Sequence, residues 1–311
     1  MSVFLVTGGA GFIGSNIVRE LLKRGETVRV LDNFSTGKRE NIKDITDDIE
    51  LIEGDIRSYH IFRTVIQGVD YVLHQAALPS VPRSVKDPIT SNQVNVDGTL
   101  HILDMAKVAG VKRVIYASSS SVYGKSEELP KREDMMPNPM SPYAATKMAG
   151  EHYCRIFSEI YGLETVCLRY FNVFGPMQDP FSQYSAVIPK FITAIHEGKS
   201  PIIYGDGSQS RDFTFVTNVV NANLLACFAD GVSGNVFNVA CGQRYTLLDL
   251  VEAVNAILQK DVKPRFEERR RGDVMHSQAD IGKAQSLLGY EPSWSFEDGL
   301  RITADWLTQS S

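Results

Sequence analysis

A tyrosine and a lysine lie four residues apart in the segment SPYAATK, as Tyr143 and Lys147. Residues at positions i and i+4 share one face of a helix, and Pro142 with the spacing of later apolar residues predicts a helix here. A tyrosine with its ordinary pKa of about 10 is a poor base at neutral pH, but a neighbouring cation stabilises its phenolate. The pair therefore fits a tyrosine that exchanges a proton with a substrate. The alternative is a solvated pair on an exposed helix.

Four consecutive serines, Ser118 to Ser121, end a predicted strand upstream of this pair in the segment RVIYASSSSVYG. A hydroxyl group at the carboxyl edge of a sheet can hold the substrate oxygen that the tyrosine deprotonates. The alternative is a set of turn residues that cap the strand. The order of serines, tyrosine and lysine favours catalysis over this alternative.

Short β-branched runs alternate with helix-like stretches from Val3 to about Arg169. The runs are VFLVT, TVRVL, IELIE, DYVLHQ, RVIYAS and ETVCLR. This alternation predicts an α/β fold in which helices cover both faces of a parallel sheet. After LRYFNVFGP the rhythm breaks at residues 172 to 185, which predicts a second, smaller lobe. Ligands of such sheets bind at the carboxyl ends of the strands, so we expect the site in the cleft between the lobes.

A glycine-rich loop joins the first strand to a helix in VTGGAGFIGSNIVRELLKRG. Gly8 permits a tight turn, Gly11 lets backbone amides approach a pyrophosphate, and Gly14 lets the helix pack against the sheet. The second strand ends at Asp32, where a carboxylate accepts hydrogen bonds from an adenosine ribose and repels a 2′-phosphate. The order of strand, loop, helix and acid predicts a site for NAD in preference to NADP. The alternative is a structural turn and a surface aspartate.

Composition excludes several classes of function. The chain has 311 residues, of which 43% are hydrophobic, and a net charge of -5, which argues against general affinity for nucleic acid or anionic membranes. No apolar run is long enough to span a bilayer and no secretory signal precedes the first strand, so we expect a cytoplasmic protein. The four cysteines are widely spaced without metal-ligand spacing, which predicts reduced thiols and no metal.

TGxxGxxG, the serine strand and YxxxK together resemble the extended short-chain dehydrogenase/reductase superfamily, in its NAD-dependent nucleotide-sugar epimerase and dehydratase branch. The resemblance covers nearly the whole chain and is greater to UDP-N-acetylglucosamine 4-epimerases than to UDP-glucose 4-epimerases. It is carried by HQAALPSVPRS, SSSSVYG, SPYAATK, LRYFNVFG, AVIPKF, RDFTFV and RRRGDV. It implies a Rossmann-type NAD-binding domain over residues 1–171, joined by a returning segment near 212–240, and a smaller α/β nucleotide-sugar-binding domain over residues 172–311.

The resemblance implies that Tyr143 is the base, Lys147 its electrostatic partner, and Ser119 the hydroxyl on the reacting oxygen, with Ser120 its nearest rival. Tyr143 would take the proton of the sugar's 4-hydroxyl group while hydride passes to NAD. The 4-keto sugar would then rotate and receive hydride on its opposite face. The implied activity is interconversion of UDP-GlcNAc and UDP-GalNAc, with UDP-Glc and UDP-Gal as further candidates.

The resemblance also assigns contacts with the cofactor and the substrate. The cofactor contacts are Gly8, Gly11, Phe12, Ile13, Gly14, Asp32, Asn33, Asp55, Ile56, Gln75, Ala76, Asn95, Tyr143, Lys147 and Tyr170. The substrate contacts are Ser80, Ser119, Ser120, Asn172, Gln178, Val187, Tyr204, Arg211, Arg270, Asp273 and Ser277. For Asp55, Ser80 and Gln178, an ordinary turn or surface loop is about as good an explanation.

Two of these assignments carry specificity. Arg211 and Arg270 would hold the diphosphate, since a guanidinium group donates two parallel hydrogen bonds. Ser277 falls on the family's gatekeeper position beside the sugar, where a tyrosine leaves too little room for an N-acetyl group. Serine leaves that room.

The sequence also bears on three other functions. The family's 4,6-dehydratases carry a Thr-Asp-Glu run at the positions of Ser119 to Ser121, so this chain lacks the proton carriers for water elimination. A UDP-uronic acid 4-epimerase needs a cation or hydroxyl cluster near carbon 6, for which only Arg83 and the serines are candidates. A non-catalytic NAD-binding protein would have no need of the intact Tyr, Lys and Ser.

The resemblance further implies a homodimer. Family members dimerise through the helix that carries YxxxK and the preceding helix, here about residues 88 to 109. The apolar residues of that segment fit such a contact, although burial under the chain's own sheet explains them equally well.

Overall fold

The centre of the molecule is a seven-stranded sheet with the order β11-β6-β5-β4-β1-β2-β3. It is seen in a computed structural model that describes residues 1–180, 187–269 and 274–309. All neighbouring strands of this sheet run parallel. The strands are β1 (Val3–Thr7), β2 (Thr27–Asp32), β3 (Glu50–Glu53), β4 (Tyr71–His74), β5 (Arg113–Ser119), β6 (Glu164–Tyr170), β7 (Val173–Phe174), β8 (Ile202–Tyr204), β9 (Ser210–Arg211), β10 (Thr214–Phe215), β11 (Asn235–Val239), β12 (Tyr245–Thr246) and β13 (Arg265–Glu267). The predicted α/β class is confirmed, and β1 to β6 are the six predicted strands.

The described residues form eleven α-helices, several of which cover the two faces of this sheet. They are α1 (Phe12–Lys23), α2 (Tyr59–Val65), α3 (Val81–Lys86), α4 (Pro88–Asn92), α5 (Gly98–Ala109), α6 (Pro142–Tyr161), α7 (Val187–His196), α8 (Val216–Phe228), α9 (Leu247–Leu258), α10 (Gly282–Leu288) and α11 (Phe296–Gln309). Alternation along β1 explains the two layers, because Phe4 and Val6 pack with α1 and α8 while Leu5 packs with α2, α5 and α6.

Helix α6 begins at a well-formed N-terminus. Ser141 caps it, accepting a hydrogen bond from the backbone N–H of Ala144, and Pro142 occupies its first turn. Gly162 ends the helix in the left-handed conformation at φ 70°. These signals set the start of α6 so that Tyr143 lies in the first turn and Lys147 one turn later.

The chain returns to the sheet late, through β11, which pairs with β6. Other elements after residue 171 pack away from the seven-stranded sheet. They include α7, α9 and three two-stranded sheets. The division into domains at residue 171 stays a prediction. Within the residues the structure describes, no helix combines the length and apolar character needed to cross a membrane.

Candidate functional site

A cavity of about 780 Å³ lies where β1 to β6 end at their carboxyl edges. The predicted cofactor residues that line it are Gly8, Gly11, Phe12, Ile13, Gly14, Asp32, Asn33, Ile56, Gln75, Ala76, Tyr143, Lys147 and Tyr170. The predicted substrate residues that line it are Ser80, Ser119, Ser120, Asn172 and Gln178. The sheet therefore brings together residues that are up to 170 positions apart in the chain.

The glycine-rich loop forms one wall of the cavity. A Cβ atom on Gly14 would lie 2.1 Å from the carbonyl oxygen of Gly8, and one on Gly8 would lie 2.7 Å from the backbone nitrogen of Ala76. No larger residue fits at either position without moving the backbone. Gly11 is the N-cap of α1 and has no side chain to satisfy the first-turn amides, which leaves them for a ligand.

Asp32, at the end of β2, contacts the glycine-rich loop. Its carboxylate accepts hydrogen bonds from the amides of Ala10 at 2.9 Å and Phe34 at 2.8 Å. Burial raises the pKa of Asp32, and these amides oppose the rise. The side chain is thus held in one orientation at the edge of the cavity.

Two predicted cofactor residues, Asp55 and Asn95, do not line the cavity but hold residues that do. Asp55 accepts a hydrogen bond from Asn33 Nδ2 at 2.8 Å, and its ion pair with Arg57 is the main reason that its pKa falls to about 2. Asn95 accepts a hydrogen bond from the amide of Leu78 at 2.8 Å and donates to Thr146 Oγ1 at 3.0 Å.

Tyr143, Ser119 and Lys147 meet at the carboxyl end of β5. The Ser119 hydroxyl lies close enough to the Tyr143 phenol to lower its pKa. The Lys147 Nζ atom lies 6.0 Å from the centre of the Tyr143 ring and donates to the carbonyl oxygen of Ala117 at 2.7 Å. This arrangement can pass a proton between the phenol and a hydroxyl group bound beside Ser119.

Burial dominates the protonation of this group. It raises the pKa of Tyr143, against the lowering effect of the Ser119 hydrogen bond. It also lowers the pKa of Lys147 to about 8. We expected Lys147 to be the main group that lowers the pKa of Tyr143, whereas in this structure the lowering contact is the one with Ser119.

The substrate-side residues of the cavity come from two loops. Ser80 caps α3 and accepts a hydrogen bond from the amide of Arg83, which also lines the cavity. On the second loop, Gln178 Nε2 donates to the carbonyl oxygen of Val173 at 3.2 Å. Its Oε1 atom is buried and has no hydrogen-bond partner among the described residues, so it can accept one from a ligand.

A second group of predicted substrate residues does not line this cavity. Val187 begins α7, Tyr204 ends β8, and Arg211 lies on β9. The amide of Ser277 donates to the carbonyl oxygen of Ser210 at 3.0 Å, so Ser277 lies beside β9. The predicted residues Arg270 and Asp273 lie outside the described residues.

Asp212 connects the second group to the cavity. Its carboxylate is fully buried and accepts hydrogen bonds from the amides of Cys241, Gly242 and Ala279. Its carbonyl oxygen accepts one from Asn172 Nδ2 at 3.0 Å. Burial raises the pKa of Asp212 to about 7, and the amides oppose the rise. One buried residue thus ties the Asn172 loop to the segments next to Ser277.

Comparison with known proteins decides the family. A model of the NAD dependent epimerase/dehydratase family matches residues 4–240. The chain belongs to this family. It is 37% identical to the UDP-glucose 4-epimerase of Mycolicibacterium smegmatis, over 99% of both chains.

Two solved structures of epimerases share the fold. The UDP-N-acetylglucosamine 4-epimerase of Methanobrevibacter ruminantium M1, in complex with UDP-N-acetylmuramic acid, is 42% identical with a TM-score of 0.95, over 100% of this chain and 99% of that one. The UDP-glucuronic acid 4-epimerase of Bacillus cereus, in complex with UDP-glucuronic acid and NAD, is 33% identical with a TM-score of 0.92, over 99% of this chain and 100% of that one.

The geometry fits NAD, the cofactor of the epimerase/dehydratase family. The backbone at Gly8 and Gly14 leaves a space that a Cβ atom would fill, and the first-turn amides of α1 point to a site for the pyrophosphate. A Cβ atom on Gly37 would lie 2.8 Å from the Asp32 carboxylate. The backbone at Gly37 therefore also passes close to the predicted ribose position. These residues would hold the pyrophosphate and the adenosine ribose of a dinucleotide.

Sequence reasoning missed part of the cavity wall. Ser35, Thr36, Gly37 and Lys38 follow Asp32 directly and line the cavity, and their position after β2 was a usable signal. Lys38 forms an ion pair at 2.9 Å with Asp179, on the loop that carries Gln178. The two partners are far apart in sequence, and the sequence contained no signal for this pairing.

Proposed function

We propose that this protein, an NAD-dependent UDP-sugar 4-epimerase, interconverts UDP-GlcNAc and UDP-GalNAc, with UDP-Glc and UDP-Gal as slower substrates. The observation that carries the choice of acetylated sugars is the small side chain of Ser277 at the family's gatekeeper position. The UDP-N-acetylglucosamine 4-epimerase of Methanobrevibacter ruminantium M1, similar over the whole chain, supports the same choice.

The proposed roles in the reaction follow from the contacts at the end of β5. The Tyr143 phenolate takes the proton of the sugar's 4-hydroxyl group and later returns it. Ser119 orients the reacting oxygen next to the phenol, whose pKa its hydroxyl lowers. The Lys147 ammonium group stabilises the phenolate. NAD, held by the glycine-rich loop and Asp32, would supply the hydride acceptor and donor for carbon 4, so that one stereocentre would be inverted without net oxidation.

The grip on the substrate falls on the nucleotide, because the sugar has to be accepted in two orientations. Arg211 and Arg270 bind the diphosphate in this proposal, and Asn172, Val187, Tyr204 and Asp273 bind or support the nucleotide. Ser80, Ser120 and Gln178 face the sugar. The unpartnered Gln178 Oε1 atom supports this role, since a sugar hydroxyl or an acetamido N–H can donate to it.

One observation favours a second candidate, a UDP-uronic acid 4-epimerase. Arg83 lines the cavity beside Ser80, and a guanidinium group is suited to a carboxylate on carbon 6. The Bacillus cereus UDP-glucuronic acid 4-epimerase is also similar to this chain over its whole length.

A homodimer formed through α6 and the segment of residues 88 to 109 is part of the proposal. Exposed apolar side chains on this side of the molecule support it: Ile89 on α4 is 70% exposed, Val108 on α5 66%, and Ile160 on α6 69%. Such residues are buried in an isologous contact. The cytoplasmic location stays a prediction.

Proton NMR of the purified protein with UDP-GlcNAc, UDP-Glc or UDP-GlcA, before and after addition of NAD, tests the proposal. We expect conversion of UDP-GlcNAc to UDP-GalNAc, and a loss of about 10³-fold in kcat for Tyr143→Phe. Conversion of UDP-GlcA alone would select the second candidate.

A matched pair of variants tests the gatekeeper. Ser277→Tyr removes space and Ser277→Ala keeps it, so the first should lose turnover of the acetylated sugars and keep that of UDP-Glc, while the second keeps both. Equal behaviour of the two variants toward UDP-GlcNAc would contradict the pocket argument.

A further inference from the structure

A buried carboxylate lies one helical turn after the lysine of the site. Glu151 follows Lys147 by four residues on α6, and both are almost fully buried, at 6% and 4% exposure. Arg169 on β6 donates to the two Glu151 oxygens, from Nε at 2.9 Å and from Nη2 at 2.8 Å. Ser118 on β5 donates to Oε1 at 2.5 Å. One carboxylate therefore joins α6 to β5 and β6.

The anchoring points of Glu151 and Lys147 are adjacent. Lys147 donates to the carbonyl oxygen of Ala117, and Ser118 is the next residue of β5. Ser118 and Arg169 are also paired in register across the two strands, one residue before Ser119 and Tyr170. The ion pair thus holds α6 against the strand ends that carry the hydroxyl groups of the site.

Stability alone is a weak explanation for this pair. The free energy lost when two charges leave water is about as large as the free energy gained from their attraction. Apolar residues of the same volume often give a protein of equal stability. The Arg169 Nη1 atom is also buried and has no hydrogen-bond partner among the described residues. A buried pair of charges that stability does not explain points to a role for those charges in the site.

The charge of Glu151 acts on Lys147 through protein instead of water. The other titratable groups near the pair are His74 on β4, Tyr116 on β5, Cys167 on β6, Cys154 on α6, Tyr123 in the turn after β5, Glu133 in the loop before α6 and Lys283 on α10. Burial lowers the pKa of His74 to about 3 and raises the pKa of Tyr116 and Cys167 well above their ordinary values, so these three are neutral. The remaining charge that acts on Lys147 is that of Glu151, and the remaining charges near Arg169 are those of Glu133 and Lys283.

We propose that Glu151 and Arg169 are positioning residues that hold α6 in place with no net charge, so that Lys147 remains the net cation beside Tyr143. This inference rests on the proposed function of Tyr143 as the base. Burial, the largest effect, lowers the pKa of Lys147 to about 8, and the charge of Glu151 acts in the opposite direction. If only one charge of the pair remained, it would shift the pKa values of both Lys147 and Tyr143.

The test is the pH profile of kcat in Glu151→Gln, Arg169→Met and the double variant. Glu151→Gln leaves an uncompensated cation, which lowers the pKa of both Tyr143 and Lys147, so the profile moves by about one pH unit to lower pH. Arg169→Met leaves an uncompensated anion and moves it to higher pH. The double variant has no unbalanced charge and returns to the wild-type position, with kcat still reduced.

A matched control lies at the other end of the same two strands. Arg113 on β5 pairs with Glu164 on β6 at 2.6 Å, and the two residues are in register. Glu164→Gln makes the same change of charge about 17 Å away along the strands. We expect no shift in its pH profile, and a shift as large as that of Glu151→Gln would overturn the proposal.

A second readout separates this proposal from the proposed function. Near-ultraviolet absorbance reports phenolate formation, and the difference between each variant and the same variant with Tyr143→Phe isolates Tyr143 without any substrate. Shifts of opposite sign in the two single variants support the proposal even if the substrate is another sugar. Shifts of the same sign, or none, overturn it. If one single variant does not fold, a shift of the predicted sign in the other variant that is absent from the double variant supports the proposal, and no shift or one of the opposite sign overturns it.

Discussion

The cofactor side and the substrate side of the cavity are assembled in different ways. On the cofactor side, Gly8, Asp32 and Gln75 each lie at or directly after the end of a strand of one parallel sheet. On the substrate side, Ser80 and Gln178 lie on separate loops. Arg211 and Ser277 belong to the second group of residues, which does not line the cavity. A site at strand ends is set by the sheet, whereas a site on loops depends on long-range contacts such as those of Asp212.

Of the variants that test this difference, Gly14→Ala on the cofactor side should have the largest effect. Its Cβ atom would lie 2.1 Å from a backbone oxygen, and overpacking costs about 1–3 kcal/mol, so we expect NAD retention to fall by about 10²-fold. The measurement is NAD content after gel filtration, with the KM for the UDP-sugar determined in excess NAD.

The control for this variant is Gly282→Ala, at the start of α10, away from the cavity. It should retain NAD like the wild type. If Gly14→Ala raised the KM for the sugar while its NAD content stayed normal, the division of the cavity into two sides would be wrong.

Arg211→Ala should have an intermediate effect, on the other side. A hydrogen-bonded guanidinium–phosphate contact contributes about 1.5 kcal/mol or more, so we expect the KM for the UDP-sugar to rise about tenfold with kcat little changed. Steady-state kinetics with bound NAD measures this.

Arg211 also donates to the carbonyl oxygens of Ser210 and Met275, so thermal stability is the control. Arg211→Lys keeps the charge but loses the two-pronged geometry and should lie between the wild type and the alanine variant. A fall in NAD content without a change in KM would count against its assignment to the substrate.

Lys38→Ala should have the smallest effect, because it acts where the two sides meet. The Lys38–Asp179 ion pair joins the loop after β2 to the loop of Gln178, and its side chains are 45% and 30% exposed. Partly exposed pairs contribute about 0.2–1 kcal/mol, so we expect NAD to dissociate two- to fivefold faster. Dilution followed by fluorescence of the released cofactor measures the rate.

Arg39→Ala is the matched control, since Arg39 is the next residue and pairs with Glu53 on the protein surface. It should leave the rate of NAD release unchanged. Reversal of the pair in Lys38→Asp with Asp179→Lys should restore slow release if the ion pair itself joins the two loops.

The sequence predicted the cofactor side well because its signals are local. The first two strands, the glycine loop and the acid at the end of β2 lie within about 30 residues, and a parallel sheet brings all strand ends to one edge. The same reasoning placed Asp55 and Asn95 among the cofactor contacts, although they line no part of the cavity and support Asn33 and Leu78 instead. The spacing of a motif does not distinguish a contact from its support.

The sequence predicted the buried supports less well. Arg169 interrupts an apolar strand and Glu151 follows Lys147 by one turn, and together these were a usable signal for a buried ion pair. Asn223, which donates to the Tyr170 hydroxyl group at 2.8 Å, lies on α8, 53 residues further along the chain. No periodicity connects residues at that separation.

The sequence by itself determined the α/β class, the position of the cofactor loop and the shared helix face of Tyr143 and Lys147, because all three depend on neighbours within a few turns or strands. Only the tertiary structure decided that Ser119 lies beside the phenol, that Glu151 pairs with Arg169 one turn after Lys147, and that Lys38 pairs with Asp179. These contacts depend on how helices and loops pack across the sheet, where burial and electrostatics act over distances in space that residue spacing does not encode.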